Sequence, residues 1–182
     1  MCAMLASCGG VKNEVSDTEQ PTLMDTMSLE EKVGQILFVR CVEDEQTDDL
    51  MSIKPGGILM FGRDFEGLTK DEVKEKIQSY QDKSDIPLII GADEEGGTVV
   101  RVSSNPNLAP EKFKSPQEIY NEGGMDAVVE NATEKSELLL SLGVNMNLAP
   151  VADVSTNPSD YMYDRSLGQN AEVTAEIGRA HV

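Results

Sequence analysis

Two short, wholly apolar runs constrain this chain most. Ile58–Phe61 and Leu88–Ala92 are too short for independent helices, show no polar alternation, and follow the breakers Pro55-Gly56-Gly57 and Pro87. Strands of this kind are apolar on both faces and must be covered on both, as in a parallel sheet flanked by crossover helices. The intervening segments have helical character. Ser28-Leu29-Glu30-Glu31 is a capping box that opens a helix striped by Leu29, Val33 and Ile36. Thr69-Lys70-Asp71-Glu72 is a second, followed by the stripe Val73, Ile77 and Tyr80.

A third helix is expected from about Met125 to Leu142, with Met125, Val128, Ala132, Leu139 and Leu142 on one face and Gly143 as its stop. Leu37–Val39 reads as a short first strand and Val144–Val151 as a longer last one. In the latter, Asn145 and Asn147 interrupt the apolar positions, as polar residues lining a barrel interior would. Residues 103–118 read as a long loop, and ordered structure is expected to begin at Met27. Helix–strand repetition without hairpin signals implies parallel strands. A doubly wound sheet and a (β/α)8 barrel both fit. A barrel needs roughly 250 residues, and only three or four βα units are present, so a barrel here would be incomplete.

A chain of 182 residues, 39% of them hydrophobic, can build one compact domain. It carries 15 basic and 33 acidic residues, a formal charge of −18, and no basic stripe. Such a field argues against nucleic acid and against direct contact with anionic membranes. The three cysteines, Cys2, Cys8 and Cys41, show neither disulfide nor zinc spacing. Cys41 reads as a core residue. Leu5-Ala6-Ser7-Cys8-Gly9 is similar to a bacterial lipobox, with Cys8 as the lipidated residue, although only seven residues precede it where a signal needs more. The expectation is a signal and flexible linker over residues 1–25 and an extracytoplasmic protein tethered to the membrane through Cys8.

Three polar clusters follow the strand candidates. Asp93-Glu94-Glu95-Gly96-Gly97, which leads on to Arg101, places three carboxylates in a row, then two glycines that permit close backbone approach. Asn147–Asp153 ends in another carboxylate, and Tyr163–Gly168 sets Asp164 beside Arg165. In parallel α/β proteins, residues just past the strand C-termini share one face, where the active site lies. Asp93 and Asp153 on that face suggest a carboxylate pair for glycoside cleavage. A phosphate site is disfavoured, since no P-loop or GxGxxG follows a strand. No EF-hand spacing appears either, and no metal or other cofactor is expected.

Taken in order, Met27–Gln35, Pro55–Ile58, Asp93–Gly97, Asn147–Asp153 and Asp164–Gly168 resemble the motifs of glycoside hydrolase family 3 across residues 26–176, most closely its β-N-acetylhexosaminidase (β-N-acetylglucosaminidase) branch. The chain departs from the common pattern with Glu94 for Gln, Thr98 for Arg and Leu167 for Phe. The resemblance implies an incomplete (β/α)8 TIM-type barrel and retaining cleavage of terminal β-linked N-acetylglucosamine, in carbohydrate metabolism or peptidoglycan recycling. It implies that Asp93, Arg101 and Arg165 bind sugar hydroxyls, which makes Asp93 a binder rather than half of a catalytic pair and leaves Asp153 without a role.

The family's remaining chemistry, including a His–Asp acid/base pair and an Asp nucleophile, would lie past residue 182, so the chain by itself is expected to be inactive. Residues 177–182 look like the translation of a sequencing-library adapter, and no catalytic part is expected of His181. The alternatives are a β-glucosidase or xylosidase of the same family, or a glycan-binding lipoprotein without catalysis.

Overall fold

A computed structural model describes residues 21–178; Cys8 and His181 lie outside them. The first helix, α1 (Leu23–Thr26), is a single turn placed slightly before the expected start. Helix α2 (Leu29–Gln35) opens on the Ser28 capping box, with the Ser28 hydroxyl accepting from the Glu31 amide at 3.2 Å and Glu31 accepting from the Ser28 amide at 2.8 Å. Then follow β1 (Phe38–Arg40), α3 (Thr47–Ser52), β2 (Gly57–Met60), α4 (Gly62–Phe65), α5 (Lys70–Gln81) and β3 (Ile89–Ala92). The long α6 (Pro116–Leu142), β4 (Met146–Asn147) and α7 (Ala171–Ile177) complete the order.

All described strand pairs are parallel, in the spatial order β1-β2-β3-β4. Chain order and spatial order coincide, as in the successive units of a barrel. The sheet is the first four strands of an incomplete TIM-type barrel.

Register divides the sheet into two faces. Ile58, Met60, Ile90 and Ala92 are fully buried beneath the helices. They meet Val73, Ile77 and Tyr80 of α5 and Leu139 and Leu142 of α6 in one core, together with Cys41. Burial raises the Cys41 thiol pKa, and its sulfur lies 3.2 Å from the Tyr80 hydroxyl. The opposite face carries Phe38, Leu59, Ile89 and Met146, and no described helix buries it; Phe38, Ile89 and Met146 are each about two-fifths exposed. Gly57 and Gly91 let Phe38 lie across this face. A Cβ on either would stand 2.6 or 2.5 Å from its ring.

Three expectations fail locally. The α2 stripe is not buried: Leu29, Val33 and Ile36 are 72%, 48% and 81% exposed, because no described element packs on that side. The last strand shrinks to two residues, since the chain after Asn147 leaves the ladder and makes only the Leu148 amide bond to Ala92. Finally, the expected loop over residues 103–118 gives way at Pro116 to a helical segment capped by Ser115, which breaks at Gly123–Gly124 before the expected helix from about Met125 to Leu142. Its early turns hold a second small core, in which Val128 packs with Leu167 and Ile177. The Gly143 stop is as expected, with φ at +92°.

Candidate functional site

The three consecutive carboxylates after β3 do not repel one another as a cluster, because successive side chains leave an extended backbone in different directions. Each finds its own partner. Asp93 meets Arg101 at 3.3 Å, with both side chains about a quarter exposed. Its other oxygen accepts no hydrogen bond among the described residues. The Arg101 Nε is buried without a partner, and the guanidinium carbon stands 5.7 Å from the Phe61 ring centre.

Glu94 is fully buried and takes no part in the open site. Its carboxylate accepts from the backbone amides of Arg101 at 2.8 Å, Val102 at 2.7 Å and Ser103 at 3.3 Å, and from the Ser103 hydroxyl. Asn147 of β4 fixes the Glu94 backbone, accepting from its amide at 2.9 Å and donating to its carbonyl at 3.2 Å. The carboxylate therefore serves as the template around which the Arg101–Ser103 turn folds, and it sets where Arg101 begins.

Glu95, 4% exposed, receives Arg165 as a two-pronged pair, Nε at 2.9 Å and Nη2 at 2.6 Å. The matched fork geometry makes this pair both strong and directional, and Glu95 raises the already high Arg165 pKa. Beneath it, the buried Lys135 of α6 donates to the Glu95 carbonyl at 2.8 Å. Desolvation lowers the Lys135 pKa to about 8, opposed by the charges of Glu94 and Glu95.

The two glycines are required by crowding and dihedral alike. Gly96 has φ +104°, and a Cβ there would stand 2.1 Å from the Lys114 carbonyl oxygen; at Gly97, φ +63°, it would stand 2.7 Å from the Ser115 Cβ. The Gly97 amide donates to the Phe113 carbonyl at 2.9 Å. In this way the loop that follows β3 is tied to the start of α6. Gln117 of α6 donates in turn to the Tyr163 carbonyl, which fixes the turn bearing Arg165.

The expected binding residues thus occupy loops past the strand C-termini: Asp93 and Arg101 in direct contact, and Arg165 joined to the same β3 segment through Glu95. Asp153 and Asp164 are exposed. Glu94, Glu95 and Lys135 were missed as individual parts of the site. Lys135 did carry a signal, since Val128, Ala132, Lys135, Leu139 and Leu142 form one unbroken helical stripe. A lysine on such a stripe must find a buried acceptor. No group of three or more His, Cys, Asp and Glu side chains among the described residues is placed to hold a metal ion.

A parallel α/β sheet with helices on one face, and carboxylate–arginine pairs gathered past its strand C-termini, defines a barrel-type domain with a polar surface at its strand ends. The family is narrower than that class. Residues 28–182 match the glycosyl hydrolase family 3 N-terminal domain, and the chain belongs to that family. It is 30% identical over 131 residues to beta-hexosaminidase A of Pseudoalteromonas piscicida, covering 70% of this chain and 22% of that protein. It is 27% identical over 143 residues to an uncharacterized secreted glycosyl hydrolase of Arthroderma benhamiae, covering 70% and 36%. A glycoside hydrolase family 3 beta-N-acetylglucosaminidase structure from a Paenibacillus species superposes with a TM-score of 0.75 at 27% identity, over 86% of this chain and 30% of that one. The chain spans well under half the length of these relatives.

Proposed function

We propose that this chain supplies the sugar-binding floor of a retaining β-N-acetylhexosaminidase acting on terminal β-linked N-acetylglucosamine. The observation that carries the proposal is the Asp93–Arg101 pair, open to solvent at the end of β3 with one carboxylate oxygen unengaged. An acceptor and a donor side by side suit a vicinal pair of sugar hydroxyls, each of which both gives and takes a hydrogen bond. Arg165, aimed by Glu95, adds donors from a second loop.

The floor binds but does not cleave. Retaining cleavage needs one carboxyl group as acid and another as nucleophile, about 5 Å apart. At the end of β3, Asp93 is paired with Arg101, Glu94 is bound by backbone amides and Glu95 is locked to Arg165. The chain alone is therefore expected to show no hydrolysis of a chromogenic N-acetylglucosaminide above a matched blank; turnover that tracks the purified chain would overturn this assignment. The same reading places the protein outside the cytoplasm, held by lipid on Cys8, as the lipobox-like segment suggests and as suits kinship with a secreted hydrolase. Metabolic labelling with an alkynyl fatty acid, lost in Cys8→Ser, tests the anchor. The work of the whole protein would be turnover of amino-sugar glycans, including peptidoglycan recycling.

A further inference from the structure

The three carboxylates after β3 are matched by three cations only if a buried lysine is counted. Asp93 pairs with Arg101 and Glu95 with Arg165. Glu94 is held by backbone amides and the Ser103 hydroxyl, and it has no paired cation among the described residues. Lys135 of α6 supplies the third positive charge. It is buried, as Glu94 and Glu95 are. Its nitrogen donates to the Glu95 carbonyl at 2.8 Å and stands 5.9 Å from the centre of the Phe113 ring. Glu94 and Glu95 are the charged groups that face it, and Arg165 holds the other end of Glu95, its carboxylate. Pro150 and Val151 after β4 and Ile177 of α7, which line the same crevice, carry no charge.

Packing does not explain this lysine. Taking an ammonium group out of water is unfavourable, and desolvation outweighs the two carboxylates in lowering the Lys135 pKa to about 8. The charge therefore weakens the fold near neutral pH instead of supporting it. What it favours is the ionised state of Glu94 and Glu95 together. Glu94 shapes the turn that begins at Arg101, and Glu95 aims Arg165, so one ammonium group stands behind both arginines of the sugar floor.

We propose that Lys135 is a positioning residue for the sugar site: its ammonium group holds the Glu95 backbone and balances Glu94 and Glu95, so that Arg101 and Arg165 bind sugar most tightly while Lys135 is charged. This rests on the reading of Asp93, Arg101 and Arg165 as the sugar floor. Sugar affinity and fold stability then move in opposite directions as the pH rises past about 8.

The test is an NMR titration of the 182-residue chain with N-acetylglucosamine, which stays neutral, from about pH 7 to about pH 9.5. Affinity in the parent should fall about five- to tenfold across that range, as for one lost charge-assisted contact. At the neutral end Lys135→Met should bind as weakly as the parent does at the alkaline end, with no decline between, and circular dichroism should show both proteins folded throughout. A purely structural role would make affinity follow stability and rise with pH. Constant or rising affinity in the parent would overturn the proposal without need of a variant. A decline that persists in Lys135→Met, or neutral-pH affinity in that variant equal to the parent's, would overturn it too. Each of these results leaves the sugar floor standing. Absence of binding by the folded parent at neutral pH would overturn both.

Discussion

Replacing Glu94 tests whether a buried carboxylate builds the site from beneath. Its Oε2 accepts from the Arg101 and Val102 amides and its Oε1 from the Ser103 amide and hydroxyl. In Glu94→Ala, three backbone N–H groups and one hydroxyl lose their acceptor in a region closed to water. Each unsatisfied buried donor costs about 1–3 kcal/mol, and relaxation of the turn recovers part of it, so a net loss of about 3–5 kcal/mol is expected. That is a large share of a domain's usual stability of about 5–15 kcal/mol. Glu94→Gln should cost only about 1–2 kcal/mol. Its amide oxygen can take the place of Oε2, and its NH2 can donate to the Ser103 oxygen, leaving one donor facing another at the Ser103 amide. Urea unfolding followed by circular dichroism measures both losses, and titration with N-acetylglucosamine measures whether Arg101 has been displaced. A loss below about 1 kcal/mol for Glu94→Ala, with sugar affinity intact, would refute the view that this carboxylate shapes the turn.

Two further outcomes follow from the same loop. Gly96→Ala must adopt φ near +104° and bring its methyl group against the Lys114 carbonyl. A loss of about 2 kcal/mol or more is expected in the same urea assay, and a neutral effect would show that the loop yields freely. Lys135 has a folded pKa depressed from 10.5 to about 8, so between those values the unfolded chain holds a proton that the folded chain releases. Its penalty on folding is fully present below about pH 8 and fades as pH rises towards 10.5. The stability of the parent relative to Lys135→Met should therefore improve by about 2 kcal/mol between pH 7.5 and pH 10; a flat difference would mean that Lys135 is not desolvated.

The parts of the fold legible in the sequence were those fixed by local rules. The Ser28 and Thr69 boxes, the Gly143 stop and the Val73–Ile77–Tyr80 stripe depend on neighbours within one or two turns. The apolar runs of β2 and β3 needed only the knowledge that parallel strands are covered. The burial of α2 was misjudged because periodicity shows which face is apolar, not whether anything lies against it. The short β4 escaped because ladder pairing is set by the neighbouring strand and not by composition. Past the strand ends, Asp93, Arg101 and Arg165 were singled out as motif residues and lie in the loops there, but Glu94 and Glu95 were seen only as like charges in sequence. Their opposed directions, and the lysine behind them, depend on a loop and a helix distant in sequence.

Saturation-transfer NMR with N-acetylglucosamine, on the parent chain and on Asp93→Ala, reports directly on whether the end of β3 holds an amino sugar. Saturation of the sugar's ring and acetyl protons by the parent is expected, competed by chitobiose, with its loss in Asp93→Ala at unchanged circular dichroism. Equal transfer from both proteins, or none from a folded parent, would contradict it.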